Sequence, residues 1–391
     1  GSMPADVRDT VGKVVKGPTT TADRIKSEVT GIGARTMFVD RFAPLEKVAE
    51  YLKKSSQAMQ MMYYARMHDQ RMAWAASTVN DGAPTLETDE KGNRIIKTRG
   101  GANLQQIANK LAEVKSYGNA EAVRDLFTTY LAAHRASNKG INTLNFSGSV
   151  TPAELKKVMQ LGDSIPQFVE ARKLYNEYNN GLINWIAEAG AIDKAVAAQL
   201  TKDQDYVPFY RAIGDNVVME IAGIQPITIG NIQNQPYLKE LVGGDQKIQD
   251  FFTSSLQNTS MLVDMGLRNL ATKEAAFSLQ EAGLLQEIGK YKGKPTYMAG
   301  GHGPKTTNVL RFKRVGKDVY AIVNSEAIGI PSELLVKGMH GVTTTIGGFT
   351  KVLAVPARFL RAMVTRSPVY AARQVVRDSM SNYLLTGGDM T

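Results

Sequence analysis

The sequence predicts a mostly α-helical protein, an elongated assembly of many helices with one small β-hairpin near 309–323. Three observations lead there. Apolar residues recur at three- and four-residue steps through most of the chain, helix-start signals stand complete at defined points, and one stretch alternates with the two-residue period of a hairpin. With 391 residues, 43% of them hydrophobic and 21% charged, the chain has an ordinary globular composition and the length of two or three domains.

Gly1-Ser2-Met3 has the look of a scar left by tag removal, and residues 4 to about 36 are polar, rich in Thr and Gly, and weakly periodic, which predicts a loosely held arm. From Phe38 the pattern changes. Leu45, Val48, Ala49 and Leu52, then Met59, Met62, Tyr63 and Met67, follow helical spacing with no Gly or Pro after Pro44, so one long amphipathic helix is expected, ending before Asn80-Asp81-Gly82-Ala83-Pro84. At that spacing the methionines and tyrosines at 59–67 are expected in a core, the alternative being an adaptable partner surface. Residues 85–100 hold Glu90-Lys91-Gly92-Asn93 between two short stretches, a turn or small hairpin.

Helical spacing resumes at Leu104, Ile107, Leu111 and Val114, and again at Val123, Leu126, Phe127, Tyr130 and Leu131. Thr151-Pro152-Ala153-Glu154 is a complete helix start, with Thr151 as N-cap, Pro152 in the first turn and Glu154 closing a capping box. Pro166 precedes a run through Phe168, Leu174, Tyr175, Tyr178, Leu182, Trp185 and Ile186 that stops at Gly190, and Ala191 to Leu200 forms a short helix. Pro208 makes Asp205–Arg211 extended.

The second half opens with Ile248, Phe251, Phe252 and Leu256 and continues through Met261, Leu262, Met265, Leu270 and Phe277. In 309–314, Leu310 and Phe312 alternate with Arg311 and Lys313, the chain turns at Val315-Gly316-Lys317, and it returns from Val319 to Val323. A last helical pattern runs from Val342 to Met363, with a kink expected at Pro356. The expected organisation is therefore an arm over 1–36, a helical domain over 37–212, a Gly-, Pro- and Asn-rich connector over 213–245, and a helical domain over 246–391 carrying the hairpin and a basic terminal helix. The ending at Thr391, without a solvating tail, suggests a piece of a longer parent chain.

Several chemistries are excluded. Without cysteine there is no disulfide, thiolate metal site or thiol nucleophile. No secretory signal and no uncharged run of about 18 apolar residues is present, so no membrane span is expected. His68, His134, His302 and His340 lie far apart, and none has a second metal ligand at ligand spacing, which leaves them core or surface roles. Neither phosphate-binding glycine motif occurs. Gly162-Asp163-Ser164 matches the nucleophile tripeptide of one esterase group, but no histidine follows an Asp by three residues, so Asp163 and Ser164 are expected to be helix-end and cap residues. No catalytic, cofactor-binding or metal-binding residue is assigned.

The formal charge is +10, and its excess is most one-sided near the end. Lys351, Arg358, Arg361, Arg366, Arg373 and Arg377 occur without an acid among them and are the candidate phosphate or nucleic-acid contacts. A solvated helix face, or a face paired with acids elsewhere in the parent, is the plainer alternative.

The order of features is itself informative. A long helical block leads to Tyr206-Val207-Pro208-Phe209-Tyr210-Arg211. A helix containing Arg268-Asn269-Leu270 and a hairpin at Gly316 follow, and then Thr365–Arg373, which includes Pro368, and Arg377-Asp378. Over most of 38–385 this order resembles the large polyvalent protein associated domain, a helical family found in very long proteins of bacteriophages and conjugative elements. Where relatives carry Asn ahead of the Arg-Asp pair, this chain has Arg373-Gln374.

The resemblance implies a parent protein packaged in a virion or transferred with DNA, located in the virion or the host cytoplasm, and a helical domain with no catalytic residue of its own. The expected role is a non-enzymatic structural and interaction module meeting other virion proteins, further copies of itself, or DNA. The alternatives are an accessory or catalytic piece acting on peptidoglycan or DNA, and a membrane-contacting segment over the Thr- and Gly-rich run 341–357, against which Lys351 argues.

Overall fold

The computed structural model describes residues 4, 43–98, 100–139, 150–202, 205, 251–288, 290–291, 294–295, 309–330, 332 and 335–336. Over these the protein is mostly helical. The helices are α1 (Ala43–Tyr51), α2 (Ser56–Asp69), α3 (Arg71–Asp81), α4 (Leu104–Ala112), α5 (Ala120–Lys139), α6 (Pro152–Asp163), α7 (Pro166–Glu188), α8 (Lys194–Lys202) and α9 (Phe251–Glu281). The strands are β1 (Pro84–Thr88), β2 (Arg94–Thr98), β3 (Leu285–Ile288), β4 (Lys290–Tyr291), β5 (Lys294–Pro295), β6 (Val309–Arg314) and β7 (Lys317–Val323).

Local signals hold where they are complete. At the start of α6, Thr151 Oγ1 accepts from the Glu154 amide at 3.3 Å and Glu154 Oε2 accepts from the Thr151 amide at 2.6 Å, with Pro152 in the first turn. The helix ends at Asp163, and the Ser164 hydroxyl donates to the Leu161 carbonyl, so both residues are helix-end groups.

The single helix expected over 38–80 is instead three. After Tyr51 the chain passes through Lys53 and Lys54 at φ 50° and 53°, and Ser55 then caps α2 by accepting from the Ala58 amide. No glycine marks the break, although left-handed backbone costs a lysine about 1–2 kcal/mol; the turn is closed by the Lys53, Lys54 and Ser55 amides donating to the Glu50, Ala49 and Leu52 carbonyls. A second break falls at Gln70, which ends α2 and begins α3. In α2, Met62 is buried and Tyr63 and Met67 are partly covered, but Met59 is 52% exposed and is not a core residue.

The 85–100 segment is an antiparallel hairpin of β1 and β2, closed by Asp89, whose Oδ1 accepts from the Lys91 and Asn93 amides. The hairpin expected at 309–323 is present as β6 and β7, with Val315 and Gly316 both at positive φ. It is larger than expected, because β3 pairs with β7 and completes a three-stranded sheet in the order β3-β7-β6. Gly316 is required there: its amide donates to the Gly190 carbonyl at 3.2 Å, and a Cβ would lie 2.7 Å from the Asp193 amide nitrogen.

Two apolar cores share α9. Its first two thirds, from Phe251 to Ala271, pack with α3, α4, α5, α6 and α7 around Tyr64, Phe127, Phe168, Tyr175 and Trp185. Its last turns, at Ala275, Ala276 and Leu279, pack with α1, α2, β6 and β7. Helices that precede residue 203 and the helix that follows residue 250 build both cores together. Each Leu or Phe fully buried here contributes about 1.5–3 kcal/mol.

α9 is buried on nearly every face although it is rich in Ser, Thr and Asn. Thr259, Ser260 and Thr272 satisfy their hydroxyls by donating to the carbonyls of Ser255, Leu256 and Arg268, one turn back. Two glycines admit aromatic rings against helix backbone. A Cβ at Gly266 would collide with the Trp185 indole, and one at Gly162 with the Tyr130 ring.

Candidate functional site

Two polar clusters, each a His–Asp pair joined by arginine, lie beside those two glycine contacts. The inner one joins α2, α3 and α9. His68 closes α2, Arg71 opens α3, and Asp264 and Arg268 stand one turn apart on α9. His68 Nε2 lies 3.1 Å from Asp264 Oδ1, Arg71 Nε 3.4 Å from the same oxygen, and Arg268 Nη2 2.8 Å from Oδ2, with the Asp264 side chain only 6% exposed. Burial alone would raise the Asp264 carboxyl, but Arg268, His68 and Arg71 outweigh it and hold the group at about 2.

Asp264 is therefore an ionised acceptor, and the His68 Nε2–H must donate to it. Burial pushes the His68 ring below its ordinary value of 6.5, reinforced by Arg268 and Arg71 and opposed by Asp264. At neutral pH the ring is uncharged, and these four groups sum to +1.

The outer cluster joins α5, α6 and α7 to Asp205. Arg172 grips Asp205 in a two-pronged pair, Nε to Oδ1 and Nη2 to Oδ2, each at 2.6 Å. Asn138 and Asn176 donate to the same carboxylate at 2.8 and 3.2 Å, and the Asp205 amide donates to Asn176 Oδ1 at 3.1 Å. Burial opposes the ionised Asp205, yet Arg172 and Asn176 bring its carboxyl below the usual range. Next to it, Asp163 Oδ1 accepts from the Tyr130 hydroxyl at 2.8 Å and stands 3.2 Å from His134 Nε2. His134 is also lowered, by burial first and then by Arg172. Here the carboxylate faces water: the Asp163 side chain is 50% exposed.

Asn269, the motif residue on α9, is a two-sided clamp. Its Nδ2 donates to the Ala189 carbonyl at 2.9 Å and to the Lys313 carbonyl at 3.2 Å, while Oδ1 accepts from the Lys313 amide at 2.7 Å. The end of α7 is thereby stitched to β6. Its neighbours act alike, Arg268 in the ion cluster and Leu270 fully buried in the core.

No protein-family model, curated protein or solved structure matches this chain. Of the residues that carry the resemblance, Asn269 is described; Tyr206, Pro208, Phe209, Arg211, Pro368, Arg377 and Asp378 lie outside the described residues, as do Lys351, Arg358, Arg361, Arg366 and Arg373. His302 and His340 lie outside them too, whereas His68 and His134 take core positions. Among the described residues, no group of three or more His, Asp or Glu could hold a metal ion, and no helix is long and apolar enough to cross a membrane.

Asp264, Arg172 and Asp205 were not singled out by the sequence, and only Asp163 lay in a motif. Asp264 has one local partner, Arg268 at i,i+4, but the other pairs span 196, 33 and 29 residues, and no local spacing encodes them.

Proposed function

We propose that this chain is a structural and interaction module of a large phage internal or polyvalent protein, one that meets DNA or other virion proteins and performs no chemistry itself. The observation that carries the reading is the use made of Arg268-Asn269-Leu270: an ion pair to Asp264, a clamp on two backbone segments and a core side chain. A motif whose three side chains are all turned to contacts inside the fold supports architecture. The His–Asp pairs point the same way, since His68 is enclosed among helices and His134 turns its Nε2 to a structural carboxylate. The net charge of +10, with its run of six basic residues from Lys351 to Arg377, supports a polyanionic partner.

The test is to mix the purified chain with long double-stranded DNA over a salt series, and separately with peptidoglycan. Retention of DNA that weakens steeply with salt, with no strand scission and no released glycan, is the expected result. Turnover of either polymer, lost on replacing a single carboxylate, would overturn the reading. Mass spectrometry of purified particles carrying the parent reading frame should find this segment inside them.

A further inference from the structure

We propose that the His68–Asp264 cluster is an acid-sensitive latch, in which protonation of His68 loosens α9 from α2 and α3. The inference stands on geometry. His68 is the last buried residue of α2, and its Nε2–H bond to Asp264 is a direct polar link from that helix to α9, across 196 residues of sequence. Because Nε2 already carries the proton that bonds Asp264, an incoming proton must settle on Nδ1, inside the packed seam.

The charged groups acting on the ring are Asp264 and Arg268 from α9 and Arg71 from α3. Glu46 of α1 meets Arg66 at the surface instead. A proton on His68 therefore raises the sum of these four groups from +1 to +2 in an enclosed site, where Arg71 and Arg268 oppose it and Asp264 is already shared three ways. Asp264 does not relieve this by titrating, because its carboxyl loses charge only near pH 2.

The direction follows from linkage. A base whose folded-state value lies below its unfolded value of 6.5 contributes stability that is complete above pH 6.5 and is lost as pH falls toward the folded value. Within that window the unfolding constant rises by up to about tenfold per pH unit. Two other described groups titrate nearby. His134 acts with the same sign, and Glu274, whose carboxyl burial raises, acts with the opposite one.

The experiment compares urea unfolding of the full chain between pH 4.5 and 7.5 for the native sequence, His68→Gln and His134→Gln, with amide exchange followed over 256–272. The native chain should lose stability steeply below pH 6.5 and exchange α9 amides faster there. His68→Gln, which keeps a hydrogen-bonding group and cannot titrate, should flatten the slope, and His134→Gln should leave most of it. An unchanged slope in His68→Gln overturns the proposal. If that variant does not fold, the His68 ring is titrated in the native chain by NMR: a midpoint below 6.5 with α9 resonances moving in step supports the latch, and a midpoint at or above 6.5, or α9 resonances that stay put, overturns it.

Discussion

The inner and outer clusters use the same parts and differ in where water stands. Each has a histidine whose Nε2 meets an aspartate, each has an arginine within the same network, and each adjoins a helical glycine against which an aromatic ring packs closely. In the inner cluster the shared carboxylate is 6% exposed; in the outer one Asp205 is fully buried, but Asp163 is 50% exposed and Arg172 23% exposed. Exposure decides what loss of a partner does. A charge left alone among packed helices cannot be hydrated, whereas one at the rim exchanges a protein partner for water at modest cost.

Asp264→Asn should produce the largest effect that separates the two clusters. It preserves shape but leaves Arg71 and Arg268 without their shared counter-ion in the seam, a loss of about 3–5 kcal/mol. Asp205→Asn should cost less, about 1.5–3 kcal/mol, because Arg172, at 23% exposure, can turn toward solvent. Urea unfolding at pH 7.5 measures both, and equal losses would break the comparison.

The glycine contacts come next. At Gly266 an added methyl meets the fully buried Trp185 indole, and at Gly162 it meets Tyr130, whose hydroxyl reaches Asp163 at the rim. Gly→Ala in an exposed helix is normally favourable by up to about 1 kcal/mol. Here overpacking reverses the sign at both positions, at a cost of about 1–3 kcal/mol, because Trp185 and Tyr130 are both fully buried and neither ring can move aside. Thermal melts decide it, and a stabilised Gly266→Ala would show that α9 and α7 are not pressed together as described.

These elements also mark how far the sequence was legible. The Thr151–Glu154 helix start could be read because both partners of the capping box lie within one turn, and the 309–323 hairpin because its alternation and Gly316 are local. The breaks at Lys53-Lys54 and Gln70 could not, since neither position carries a residue that prefers to end a helix. The third strand, Leu285–Ile288, is four residues long and follows a helix, so its partner β7 defines it more than its own pattern does. Asn269 is legible through the resemblance and Asp264 is not: with Arg268 four residues on, it reads as half of an ordinary solvated helix pair until His68 and Arg71 are brought across from another part of the chain.

The smallest expected effect lies in how the two histidines titrate. Both are lowered by burial and by arginine, but His134 has a carboxylate partner in contact with water, which can reorient and hydrate as the ring gains a proton. His134 should therefore titrate closer to 6.5 than His68, and the stability it contributes should be complete above 6.5 and fade over a narrower range below it. The two ring resonances, assigned by His68→Gln and His134→Gln, give the midpoints directly. Coincident midpoints would mean that the arginines, present in both clusters, set the protonation of these rings, and that the exposure of the aspartate has little part in it.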